Sequence, residues 1–285
     1  MVEPAAPVAV VWSTIALMTA PTHVAATLDE WIARDAIPFS VNTPAVFHAA
    51  VAKLVASLGD AVELLGLGEA LHGGEDILVL RNRLFQRLVE EHGYSAIALE
   101  SSFPRARLVN EYVAGRGPTS YEAVQEAGFG HGFGRLRANR ELVEWMRQYN
   151  ADPARRVDLQ FYGCDIPTSA TGTAGPGEVL RFVLDYLAET DGAGVSERRG
   201  RIDGLIGPDA AWEDPAALAD PEQAVGLTPA AAALRIETED LITELRTRRP
   251  ELVARSDEGR YQEAAQHASV ARWLLGFHAA LARGA

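Results

Sequence analysis

The chain is poor in cysteine, in lysine and in positive charge. Cys164 is its one cysteine. That excludes an internal disulfide framework and a cysteine-built zinc site, and it fits a reducing compartment. Lys53 is the only lysine, and 26 basic residues face 39 acidic ones, a net charge of -13. A surface of that sign repels nucleic acid, so no nucleic-acid partner is expected. Long apolar runs are missing as well. The stretch "VAVVWSTIALMTA" (8–20) is too short to span a bilayer, and "MVEP" ahead of it lacks the positive charge of a signal peptide. No membrane partner is expected, and the chain reads as cytoplasmic. Met18 reads as a natural start, with Thr27 or Asp29 capping a short helix. Residues 1–26 then form an extension outside the core.

What is present is enough to build a core: 285 residues, 48% of them hydrophobic, allow one or two domains. Residues 44–58 have helical spacing, and "VELLGLGE" (62–69) reads as a short buried strand ending at Gly68. From Gly73 to His92, Ile77, Leu80, Leu84 and Leu88 mark a helical stripe, and Gly93 suits its C-terminal stop. "YSAIALES" is the next strand, which predicts a βαβ unit with parallel strands. A helix over about 105–113, the glycine-rich "AGFGHGFG", a helix in "ANRELVEWMRQYN" and a third strand in "VDLQFYGCDI" follow. Beyond "PTSATGTAGPG", residues 177–190, 228–249 and 257–283 read as helices, with no further strand. The expected fold is α/β, a mostly parallel sheet flanked by helices, with a core over 27–170 and an all-helical subdomain over 171–285.

Three expected strands end on carboxylates: Glu69, Glu100 and Asp165. Carboxyl ends of strands line the ligand crevice in open α/β sheets. With His72 and Arg81 they form a candidate site, because so much charge at strand ends is costly unless it is paired. Each residue also has a plainer reading: Glu69 as a helix cap, Arg81 as a solvated helix residue, Asp165 as a loop anchor. Glu75, His131 and Asp165 are candidate substrate contacts, while His131 also has a plainer reading as a loop histidine.

Several familiar chemistries are missing. "GLGEALHG" has Leu71 where a dinucleotide loop needs its third glycine. "EALH" has Glu-x-x-His spacing, but the second such motif that a carboxylate metal bundle requires is absent. There is no G-x-S-x-G elbow. What remains is an imidazole flanked by carboxylates, able to act as a general base near neutral pH. No cofactor and no metal are expected.

The segment "LGEALHGGEDILVLRNRLFQRLVEEHGYSAIALES" (67–101) resembles the erythromycin esterase family, whose opening pattern is G-E-x-x-H-G, a helix, and a strand ending in glutamate. "NRELVEWMRQYN" and "VDLQFYGCDI" resemble its later segments, in the same order. The resemblance implies metal-independent hydrolysis, in which a histidine activates water against an ester or lactone, macrolactones included. His72 would then be the general base, Glu69 and Glu100 would orient it or the water, and Arg81 would be the active-site arginine; the resemblance assigns Asp165 no role. Two departures stand out. Such proteins run on to a further strand ending in an Ala-His-Asn-x-x-His-like segment, whereas this sequence stops at "GFHAALARGA". It therefore reads as C-terminally truncated, without that strand-containing part, and His267 and His278 do not substitute for the absent histidine. "GFGHGFG" stands where macrolide esterases tend to carry tryptophan-rich sequence. The expected partner is a small-molecule ester or lactone. Alternatives are a non-catalytic binding protein that self-associates through an unpaired sheet edge, and a transferase or lyase using the same His–Glu pair.

Overall fold

The computed structural model describes residues 27–59, 61–69, 71–167, 174–192 and 194–284, and the backbone of 8–10. The start expected at Met18 and the boundary expected between 170 and 171 lie outside these residues. The chain divides into two compact units, Met1–Asp165 and Ile166–Ala285.

The first unit carries β1 (Val8–Val10), α1 (Leu28–Asp35), α2 (Pro44–Leu58), α3 (Glu75–His92), β2 (Ala96–Ser102), α4 (Phe103–Val113), α5 (Glu122–Gln125), α6 (Arg137–Ala151) and β3 (Gln160–Asp165). Its helix ends follow from local sequence. Thr27 caps α1 in a reciprocal capping box with Glu30, Pro44 sits in the first turn of α2, and Gly93 closes α3 at φ 75°. Both strand pairings, β1–β2 and β2–β3, are parallel.

Three details differ from the sequence reading. Residues 62–69 form no strand. The position beside β2 is filled by β1, with Val8, Ala9 and Val10 opposite Ala96, Ile97 and Ala98. Part of the stretch read as an extension therefore belongs to the sheet, and the place beside β2 is taken. That segment is instead held by the Tyr94 hydroxyl, which donates to the Val62 carbonyl at 3.1 Å, and by Leu65 packing on Leu88 and Tyr94. Second, the buried stripe of α3 is Leu78, Asn82, Phe85, Leu88 and Val89, rotated from the one that hydrophobic spacing marks. The rotation follows from Asn82, a polar residue that the fold buries. Third, the outer edge of β3 is partly covered. Gln160 N–H donates to the Ser95 carbonyl, so the next N–H, that of Phe161, faces away from β2, and Asn110 Oδ1 on α4 accepts it at 2.8 Å.

The core joins Phe85 and Val89 of α3, Ile97 and Leu99 of β2, Val109 and Val113 of α4, Leu142 and Met146 of α6, and Phe161 of β3. Helices thus clamp a small parallel sheet, and their tight packing fixes the strand ends that matter below.

The second unit consists of α7 (Gly177–Thr190), α8 (Val195–Ile206), α9 (Ala216–Ala219), α10 (Pro229–Thr247), α11 (Arg249–Arg255) and α12 (Glu258–Leu281), with short 3-10 turns and no strand among the described residues. Thr228 and Asp257 cap α10 and α12 through their side chains. The sequence reading missed α8, whose Gly200 and Gly204 weaken its apolar period. His267 stacks on Phe182 at 3.8 Å, and His278 meets the Ala174 carbonyl at 2.9 Å. Both imidazoles are buried parts of this unit's packing. No described helix is long and apolar enough to cross a membrane.

Candidate active site

A cavity of about 260 Å³ opens in the first unit, at the carboxyl ends of β2 and β3. Glu69, His72, Arg81, Glu100 and Asp165 all line it, so five residues from four separate segments converge.

A register shift between β2 and β3 turns Glu100 toward the cavity. Leu99 pairs with Gly163 but Ser102 pairs with Asp165, so β2 carries one extra residue there. Such a bulge re-aims a side chain, and Glu100 is the exposed residue in an otherwise buried strand. Glycine is required opposite the bulge. A Cβ on Gly163 would lie 2.4 Å from the Ser101 carbonyl oxygen and 2.6 Å from that of Ser102.

His72 sits in the turn before α3, where Gly73 takes φ 74°. Its Nδ1 lies 3.6 Å from Glu69 Oε1 and its Nε2 lies 3.7 Å from Glu100 Oε2. These are charge contacts just beyond hydrogen-bond length. The ring is largely open to solvent, so a water can reach it.

The glycine-rich loop is packed against the core. Ser101 Oγ accepts from Gly130 N at 2.7 Å, and a Cβ on Gly134 would meet the Gln125 carbonyl at 1.9 Å. The loop holds His131 at φ 55°, the one positive φ outside glycine among the described residues, a conformation that costs about 1–2 kcal/mol. His131 Nε2 lies 3.9 Å from Asp165 Oδ2. Phe133 stands between the two imidazoles, 5.7 Å from His72 and 5.5 Å from His131 by ring centroids.

Arg81 is held by two asparagines. Its Nη2 donates to Asn82 Oδ1 at 2.8 Å and to Asn139 Oδ1 at 2.6 Å. Asn82 in turn donates to the Ala138 carbonyl, and Asn139 to that of Phe133. Burial pushes the guanidinium pKa down to about 10, against the pull of Glu69. It therefore stays cationic at neutral pH.

Glu75 goes elsewhere. Its carboxylate accepts from Arg137 N at 2.7 Å and Ala138 N at 2.9 Å, satisfying the first turn of α6. Glu75 is outside the cavity lining. Two further carboxylate-linked effects follow. Burial, then the Glu100 charge, raises the Asp165 carboxyl, with His131 opposing. Burial, then Asp165 and Glu100, pushes the Cys164 thiol up to about 11, so it stays protonated and is no nucleophile.

Sequence reasoning missed the two asparagines and the aromatic wall of Phe129 and Phe133. A signal for the asparagines exists: Asn82 lies at i+4 from Leu78 and i-3 from Phe85. Asn139 likewise falls on the buried face with Leu142 and Met146.

Comparison with known proteins gives this geometry its context. A family model described as erythromycin esterase matches residues 89–285, and the chain belongs to that family. The chain is 28% identical over 163 residues to an erythromycin esterase type II of Escherichia coli, covering 57% of this chain and 36% of that protein. It thus spans about a third of that relative. A Bacillus cereus protein of known structure superposes with a TM-score of 0.66 at 21% identity, covering 88% of this chain and 56% of that one. A protein described as a succinoglycan biosynthesis protein does so with a TM-score of 0.62 at 22% identity, covering 85% and 54%. These two likenesses establish the fold alone. Glu100, His131 and Asp165 fall within the family match, whereas Glu69, His72 and Arg81 precede it.

Proposed function

We propose that this chain hydrolyses a small ester or lactone with water activated by His72. The observation that carries the reading is the His72 ring set between Glu69 at 3.6 Å and Glu100 at 3.7 Å at a cavity. A carboxylate on each side favours the imidazolium that forms when the ring takes a proton from water. Arg81, fixed by Asn82 and Asn139, offers a preorganised positive charge to the developing oxyanion. The cavity of about 260 Å³ lies just below the usual size of ligand pockets. It encloses the reacting group of a compact ester or lactone, and a macrolactone would extend outside it.

The test is turnover of a panel of aryl esters, lactones and macrolides by the purified chain and by His72→Ala. General-base removal lowers kcat by about 10²- to 10⁴-fold, with the circular dichroism spectrum unchanged. A His72→Ala chain that hydrolyses the same compound at the original rate refutes the assignment, and so does a wild-type chain that binds the panel but turns over none of it.

A further inference from the structure

We propose that Glu100, His131 and Asp165 form a binding site for one divalent transition-metal ion. The three residues come from three segments: the bulge of β2, the glycine-rich loop and the end of β3. One ligand atom from each lies within 4.8 Å of the other two, and His131 Nε2 to Asp165 Oδ2 is 3.9 Å. An ion bound at about 2.1 Å by each donor spaces those donors by roughly 3 to 4.2 Å. The His131–Asp165 separation is already in that range.

The donor chemistry narrows the ion. One imidazole and two carboxylates suit zinc, manganese or iron(II), whereas calcium and magnesium favour oxygen donors alone. Three protein ligands leave a coordination position for water, as in sites that do chemistry. The surroundings agree with a cation. Glu100 and Asp165 bring two carboxylates to one side of the cavity, beside the Cys164 thiol. His131 faces Asp165 at 3.9 Å while His72 faces Glu100 at 3.7 Å, and the His131 backbone takes a positive φ in that position.

Glu100 would then serve two neighbours, the ion and His72. This goes beyond the hydrolytic reading and departs from the metal-free chemistry that the family resemblance implies.

The experiment uses the full chain without a histidine tag, stripped with chelator and titrated with Co²⁺ alone and then Zn²⁺ alone. Binding is read by calorimetry and by the visible cobalt spectrum. One equivalent is expected to bind at micromolar metal. His131→Ala and Asp165→Asn are each expected to weaken it by at least about tenfold, while His72→Ala retains it. Circular dichroism establishes that each variant is folded. A stripped wild-type chain that takes up neither ion overturns the proposal, as does a folded His131→Ala chain that binds like wild type. Loss of hydrolysis in His72→Ala with metal binding intact supports both readings. Metal binding without any hydrolysis sinks only the hydrolase reading.

Discussion

Replacing Glu75 by alanine separates two roles for one carboxylate. Glu75 is the first residue of α3, yet both its oxygens accept hydrogen bonds from α6, at 2.7 and 2.9 Å. Leu136, at the N-cap of α6, has no side-chain cap bond, so nothing but water replaces the carboxylate. Losing a capping side chain costs about 0.5–2 kcal/mol. The charge of Glu75 adds an interaction with the helix dipole of about 0.3–1 kcal/mol. We therefore expect a loss of about 2 kcal/mol, which for a unit of this size lowers Tm by roughly 4–8 °C. Glu75→Gln keeps one acceptor but no charge and should lose about half as much. The same fraying reaches the site, because Asn139 in the first turns of α6 accepts from Arg81. kcat should fall while KM changes little. Thermal and urea unfolding followed by circular dichroism, with kinetics on whichever ester is turned over, provide the readout. A Glu75→Ala chain with unchanged stability and a raised KM would refute the capping argument and restore Glu75 as a substrate contact.

Two more outcomes follow from the site. Gly163→Ala forces a methyl to within 2.4 Å of the Ser101 carbonyl, and backbone cannot yield as a side chain does. Destabilisation of at least about 1–3 kcal/mol is expected in urea unfolding, and a neutral result would show that the bulge shifts freely. Asp165→Asn should raise the stability of the chelated protein at neutral pH. The native carboxyl has a raised pKa, so its contribution is favourable below the unfolded carboxylate range and is lost as pH rises through the native value. The advantage of asparagine should therefore shrink on acidification. A gain in stability that persists unchanged in acid would contradict that sign.

Much of the chain could be read before folding. The helices α2, α3, α6, α7, α10 and α12 follow from periodicity and from punctuation such as Pro44, Gly93 and Asp257, signals confined to a few neighbouring residues. Strands β2 and β3 stood out as apolar runs. The segment 62–69 carried the same local signal and is not a strand; the place beside β2 is taken by Val8–Val10. Helix α8 escaped for the opposite reason: its period is weak, and packing of Ile202 and Ile206 maintains it.

The site divides the same way. His72, Arg81 and Glu100 were picked out before folding, since the turn before α3 and the end of β2 are local features; Glu69 was picked out as the end of a strand that does not form, yet it lines the same cavity. The sequence by itself also determined the acidic surface and the exclusion of disulfide chemistry. Only the tertiary structure decided where each carboxylate goes. Glu75 left the site for a helix sixty-odd residues away, and Asn82 and Asn139, distant in sequence, became the clamp on Arg81. Tertiary packing likewise brought His131 to Asp165. Periodicity reports which face of an element is apolar, but the partner of a buried polar group is chosen by packing between distant elements, and sequence spacing carries no record of that choice.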